Sequence, residues 1–176
     1  MRVIAGEFRS RKLKALPGLD TRPTPDRLRE TLFNILAPRI AGCVFLDAYA
    51  GTGAVGIEAL SRGARRAIFV DRAGGAAEIV RENLRMLGIQ SRAEVFTGKA
   101  VTLLERLTAD IVFLDPPYER ESEYVEALQR LGVKESAGLV IAQHHSKLSL
   151  DAAYGHLRKV RTVKQGDNVL SFYEAG

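Results

Sequence analysis

Four consecutive residues, Asp115-Pro116-Pro117-Tyr118, combine the side chains needed to hold a flat, amine-bearing group. The run before them, Ile111-Val112-Phe113-Leu114, is wholly apolar and bounded by Asp110 and Asp115. It reads as a buried parallel strand that delivers a loop to a sheet edge. In open α/β sheets, ligands bind in the crevice outside the carboxyl ends of the strands. Two prolines fix φ and remove two backbone donors, so the loop is stiff and its carbonyls stay free to accept. A carboxylate and a carbonyl can accept the two protons of an NH2 group, and an aromatic ring can stack on the plane that bears it. The bland alternative is an acid that caps a turn and a tyrosine that fills a gap.

A second constellation lies upstream. Gly51-Thr52-Gly53-Ala54-Val55-Gly56 matches the G-x-G-x-x-G pattern, and Asp71 follows Gly51 by 20 residues. That spacing suits a nucleotide site, with glycines for close backbone approach and an acid for a ribose diol. Many α/β loops share the pattern, and Asp71 could instead be a turn-capping acid. Asp47, four residues before Gly51, decides between cofactors. A carboxylate there would repel a pyrophosphate and attract the ammonium and sulfonium end of S-adenosylmethionine. The residues therefore favour S-adenosylmethionine over NAD, with Asp47, Ala48, Gly51, Gly53, Asp71 and Arg72 as the candidate cofactor set. No side chain reads as a covalent nucleophile, so direct attack of an amine on the methyl sulfonium is the economical chemistry.

The elements that must position these groups form a regular series. Strands are expected over Cys43–Leu46, Ala67–Val70, Ala93–Phe96, Ile111–Leu114 and Leu139–Ala142. Helices are expected over Ala54–Ser61, Ala76–Leu87, Val101–Leu107 and Glu123–Leu131. Residues 143–156 are polar and irregular. Leu157–Val163 and Val169–Tyr173 then form two strands joined at Gly166-Asp167. The fold class is α/β, a mostly parallel sheet closed by an antiparallel C-terminal hairpin. Ahead of it, residues 2–16 suggest a small β-hairpin, with Ala5-Gly6 at the turn. Arg11-Lys12-Leu13-Lys14 alternates so that one face is basic. Thr24 is placed as an N-cap, Pro25 at the first helical position, and a helix to about Leu36, with Leu28, Leu32, Ile35 and Leu36 as its apolar stripe. The chain divides into an N-terminal extension, 1–36, and a catalytic unit, 37–176.

The chain has 176 residues and a net charge of +5. Residues 1–36 hold eight Lys/Arg and four Asp/Glu, so eight minus four leaves +4 there. A clustered basic segment is the footprint of a polyanion-binding surface, although a solvated basic face is the plainer reading. No apolar run reaches the length of a membrane span, and the N-terminus lacks a signal-peptide core. A lone cysteine, Cys43, in an apolar run suits a core position in a reducing cytoplasm. Three histidines and one cysteine offer no metal-ligand spacing, so no metal is expected.

At this point the chain resembles the RsmD family, the bacterial 16S ribosomal RNA guanine-N2 methyltransferases. The resemblance covers essentially the whole chain. It rests on Arg9-Ser10-Arg11-Lys12-Leu13, on the run from Arg22-Pro23-Thr24-Pro25 to Phe33-Asn34, on Leu46-Asp47-Ala48-Tyr49-Ala50-Gly51-Thr52-Gly53, and on Asp115-Pro116-Pro117-Tyr118. The glycine loop alone is common to class I methyltransferases, and D-P-P-Y occurs in adenine-N6 and cytosine-N4 DNA enzymes. The N-terminal text singles out this family. The resemblance implies a Rossmann-like fold with a seven-stranded sheet, S-adenosylmethionine as donor, and methylation of one guanine of 16S rRNA in a small-subunit assembly intermediate or 30S particle. It also implies a cytoplasmic monomer. By the same resemblance Asp47, Gly51 and Gly53 line the cofactor site, Asp71 meets the ribose, and Asp115, Pro116, Pro117 and Tyr118 form the catalytic loop. Arg9, Arg11, Lys12 and Arg22 are then candidate RNA contacts, and Thr24 and Arg27 border the active-site mouth.

Two departures stand out. Relatives commonly carry Asp or Asn after strand three, where this chain has Gly98-Lys99. They often carry an acid at the end of strand five, where this chain has Gln143, followed by His144-His145 in an expected exposed loop. Two other functions remain open on the residues: a DNA adenine-N6 methyltransferase, for which a target-recognition insertion is wanting, and a dinucleotide-binding module without methyl transfer.

Overall fold

The computed structural model describes residues 1–15, 17, 24–135 and 138–176, with the side chain of Tyr118 excepted. Short apolar runs punctuated by glycine and acids build the sheet. Its strands are β1 (Val44–Asp47), β2 (Arg66–Asp71), β3 (Ala93–Thr97), β4 (Ile111–Leu114), β5 (Leu139–His145), β6 (Ala153–Tyr154), β7 (Leu157–Gln165) and β8 (Asn168–Ala175). The helices are α1 (Asp26–Ile40), α2 (Ala54–Ser61), α3 (Gly74–Leu87), α4 (Ala100–Leu103) and α5 (Ser122–Gly132). The strand order is β3-β2-β1-β4-β5-β8-β7-β6. β1 to β5 run parallel, and β8, β7 and β6 are antiparallel. The seven expected strands are thus joined by a two-residue eighth, which pairs only with Arg158 and Leu157.

Strand order reverses between β1 and β4, and a ligand crevice opens at such a switch point. The acids Asp47 and Asp115 stand at the carboxyl ends of those two strands. Two apolar layers cover the sheet. One joins α1, α2 and α3 to β1 and β4 and takes in Val3, Phe8 and Leu13 of the N-terminal segment. The other joins α4 and α5 to Leu46, Val112, Val140 and Tyr173. Cys43 is buried in the first layer, where desolvation pushes its thiol up to about 11. Among the described residues, no helix is long and apolar enough to cross a membrane.

Several expectations are corrected. The N-terminal hairpin reduces to a single antiparallel bridge, Arg2 with Lys12. Side chains of α2 take the backbone donors that a longer ladder would use. Ile4 and Ala5 donate to the two oxygens of Glu58 at 2.9 and 3.0 Å, and Phe8 donates to Ser61 Oγ at 3.0 Å. Thr24 does not cap α1. The helix begins at Asp26 after Pro25 with no side-chain cap bond, and it runs on through Pro38 to Ile40. α4 stops at Leu103, and Lys134 Nζ satisfies the Leu104 carbonyl beyond it at 2.9 Å. His144 is no loop residue: β5 continues to His145, and His144 is buried with Nε2 2.8 Å from Ser171 Oγ. Burial pulls its imidazole below the ordinary value. His145 is half-buried and its Nδ1 accepts the Lys147 N–H at 3.0 Å.

Candidate active site

The turn after β1 is built by glycine. Gly51 and Gly53 have φ of +57° and +85°, a region costly for residues with a Cβ. A Cβ on Gly51 would meet nothing within 4 Å, because that side faces open space. Gly56 is needed for packing instead. A Cβ there would lie 2.3 Å from Phe69 Cε1, so glycine lets α2 close on β2. Asp71 Oδ2 accepts the Gly51 N–H at 2.9 Å, and its Oδ1 accepts the Ala73 N–H at 2.9 Å. Asp71 therefore caps both turns, and each oxygen keeps a lone pair for a ligand hydroxyl.

These loops line one cleft of about 760 Å³. Asp47, Ala48, Gly51, Asp71 and Arg72 line it, and so do Asp115, Pro116 and Pro117. Gly53 does not line it; it shapes the turn from beneath. Asp47 is 1% exposed; its Oδ2 accepts the Gly56 N–H at 3.0 Å, and its Oδ1 has no partner among the described residues. Desolvation raises its carboxyl to about 7, the Gly56 bond opposes that, and the charge of Asp71 adds to it. Asp115 is likewise raised to about 7, by desolvation first and by Asp47 second, while a hydrogen bond from Thr24 opposes the shift. Asp115 thus senses the charge of Asp47, and Thr24 serves Asp115 rather than its helix.

The N-terminal segment supplies further wall. Met1, Ala15, Thr24 and Pro25 all face the cleft. Asn83, fully buried on α3, fastens the segment to the glycine loop. Its Nδ2 donates to the carbonyls of Lys14 and Thr52 at 3.1 and 3.0 Å, and its Oδ1 accepts the Lys14 N–H at 2.7 Å. Sequence reasoning missed Asn83, which lies in a helix with no motif around it. It also missed Glu123, and it noted Gln143 and His144 without placing them in the site; all three line the cleft. The signal for Gln143 was its place at a strand end beside Asp115.

Other expected residues lie elsewhere. Arg9, Arg11 and Lys12 are exposed and outside the cleft, as a surface contact requires. Arg27 is exposed on the first turn of α1 and does not line the cleft. Arg22 and the side chain of Tyr118 lie outside the described residues. After β3, Gly98 lines the cleft, whereas Lys99 is exposed and does not.

A parallel sheet with a switch-point crevice, two acid-tipped strands and a glycine loop between them define the Rossmann-like methyltransferase fold. The solved structure of the Escherichia coli protein "Putative methyltransferase yhhF" superposes with a TM-score of 0.87 at 30% identity, over 99% of this chain and 97% of that one. The family model described as "Conserved hypothetical protein 95" matches residues 1–174. The Bacillus subtilis protein "Putative rRNA methyltransferase YlbH" is 35% identical over 99% of this chain and 98% of its own length. The Escherichia coli protein "Ribosomal RNA small subunit methyltransferase D" is 41% identical over 68% of this chain, a match spanning 61% of that relative. The chain belongs to this family, the RsmD family.

Proposed function

We propose that the protein transfers a methyl group from S-adenosylmethionine to the exocyclic N2 amine of one guanine in 16S rRNA, acting as a monomer on a small-subunit assembly intermediate or 30S particle. One observation carries the reading: a single cleft is lined both by a buried carboxylate oxygen with no partner among the described residues, Asp47 Oδ1, and by the stiff Asp115-Pro116 acceptor pair. A buried acceptor without a partner is costly unless a ligand satisfies it, and a cationic ligand suits a carboxylate best. The open side of Gly51 and the spare lone pairs of Asp71 suit a nucleoside in the same way. Asp47, Ala48, Gly51, Asp71 and Arg72 would hold the cofactor, and Gly53 would set the turn. Bound there, S-adenosylmethionine supplies a methyl group on a positively charged sulfur.

The remaining work falls to this chain's own residues. The Asp115 carboxylate and the Pro116 carbonyl accept the two N–H groups of the amine, which turns its lone pair into the cleft. Thr24 steadies Asp115. With its carboxyl near about 7, Asp115 is also a fit acceptor for the proton that the amine gives up. Tyr118 is assigned to stack on the base, and the exposed Arg9, Arg11 and Lys12 to hold the RNA backbone. The choice of rRNA is supported by the rRNA-methylating relatives, and the choice of guanine by the resemblance to the RsmD family.

The test offers the protein S-adenosylmethionine with deproteinised 16S rRNA, with 30S particles from a strain lacking the enzyme, and with duplex DNA, each then digested to nucleosides for mass spectrometry. N2-methylguanosine from an RNA sample is the expected product, and the stronger sample names the natural substrate. Methyladenine from DNA alone would replace this reading with the adenine-N6 one.

A further inference from the structure

Gln143 lines the cleft near the end of β5 and is 7% exposed. Its Oε1 is buried and has no hydrogen-bond partner among the described residues. Native structures rarely leave such an atom unpaired, so something from outside the chain should meet it. Turning the amide over would exchange an acceptor for a donor without removing the unpaired atom.

Its position is determined by register. Leu114 and Ala142 are partners in the parallel pair β4–β5, and Asp115 and Gln143 are the next residues along each strand. Side chains alternate along a strand, so these two leave adjacent strands on the same face of the sheet. The backbone of Gln143 is held firmly. It pairs with Leu170 of β8, and its carbonyl accepts the Tyr124 hydroxyl. Next to it His144 is tied to Ser171. A buried amide on a firmly held backbone therefore stands beside the group assigned to the target amine.

We infer that Gln143 recognises the guanine edge next to N2, its Oε1 accepting N1–H and its Nε2 donating to O6. This rests on the guanine-N2 reading above and extends it from the reacting atom to the choice of base. With N2 on Asp115, guanine presents a donor and then an acceptor along one edge, and a carboxamide complements both. Adenine placed with N6 on Asp115 presents N1, an acceptor, and then C2–H. Oε1 would then face a lone pair, and Nε2 would have no acceptor. A site built to hydrogen-bond a substrate group penalises the analogue lacking it, because its own polar atoms are left unpaired. Gln143 is thus a specificity-determining residue, whereas Asp115 handles the amine that any candidate base would share.

The experiment uses 30S particles reconstituted on ligated 16S rRNA, with the target nucleotide as guanosine or as 2-aminopurine riboside. The analogue keeps the 2-amine, has an unprotonated N1 and lacks O6. Wild type should prefer guanosine in kcat/KM by at least about tenfold. Gln143→Ala should lose activity on guanosine by about that factor and change little on the analogue, so that the preference collapses. Gln143→Glu keeps an acceptor for N1–H and should retain part of the preference. Thermal melting and S-adenosylhomocysteine affinity should stay close to wild type in both variants. A preference unchanged in Gln143→Ala overturns this inference alone. Equal loss on both nucleotides overturns it too, since that is the mark of a structural role. Wild-type particles that gain no N2-methylguanosine at all overturn the underlying function with it.

Discussion

Desolvation raises the carboxyls of both Asp47 and Asp115 to about 7. The carboxyl of Asp47 has a higher value folded than unfolded, so the folded state binds the extra proton between about pH 4 and 7. Stability from this group is therefore present below pH 4 and is lost as pH rises through about 7. Asp47→Asn removes the cost of the buried charge, and chemical denaturation should show its stability relative to wild type growing from pH 5 to pH 8, by roughly 1–4 kcal/mol. No growth would mean that Asp47 stays solvated in the folded chain. The same variant should bind S-adenosylmethionine more weakly, and the rise of wild-type affinity with pH through about 7 should flatten. Asp115→Ala should cut methyl transfer by roughly 10²–10⁴-fold while calorimetry finds S-adenosylhomocysteine affinity little changed. Equal loss of both would move Asp115 into the cofactor half.

At the scale of elements, the N-terminal segment is joined to α1 and α2 through polar groups placed inside. Arg29 is fully buried on α1, with Nη2 donating to the Arg2 carbonyl at 2.6 Å and to Asp26 at 3.0 Å. Its Nε lies 4.0 Å from Glu58 Oε1, and Arg62 Nε lies 2.9 Å from Glu58 Oε2. One carboxylate on α2 thus meets two guanidinium groups and two N–H groups of the segment. Removing one partner of a buried pair leaves the other uncompensated, so Glu58→Gln should destabilise the protein by about 3 kcal/mol. Hydrogen exchange at Ile4 and Ala5 should quicken with it, and protection equal to wild type would show that apolar packing alone holds the segment. Arg29 was legible in principle. It stands three, four and seven residues before Leu32, Phe33 and Leu36, on the same stripe of the helix. Its residue type argues for exposure, and the Arg2 carbonyl, Asp26 and the Glu58 carboxylate on another helix reverse that.

For the whole molecule, the basic charge is concentrated on the N-terminal segment, which also supplies Met1 and Ala15 to the cleft wall. The excess of basic residues near the N-terminus lies on a segment whose apolar side chains Val3, Phe8 and Leu13 are in the core and whose Arg9, Arg11 and Lys12 face solvent. Replacing those three with Ala should weaken RNA binding and lower the slope of log affinity against log salt by about 2–3. An unchanged slope would make the segment a solvated face. The sequence by itself determined the element types, the acids at the ends of β1, β2 and β4, and the glycine turn. Each depends on local periodicity or on one residue's conformational freedom. Its expectations failed where a distant group captured a local one. Thr24 went to Asp115 instead of a helix end, the N-terminal ladder went to Glu58 and Ser61, and His144 entered β5 to meet Ser171. Tertiary structure alone brought Asp47 close enough to help raise the carboxyl of Asp115, and set Gln143 beside Asp115 through the register of two strands. Those relations arise from burial and long-range pairing, which residues near in sequence do not encode.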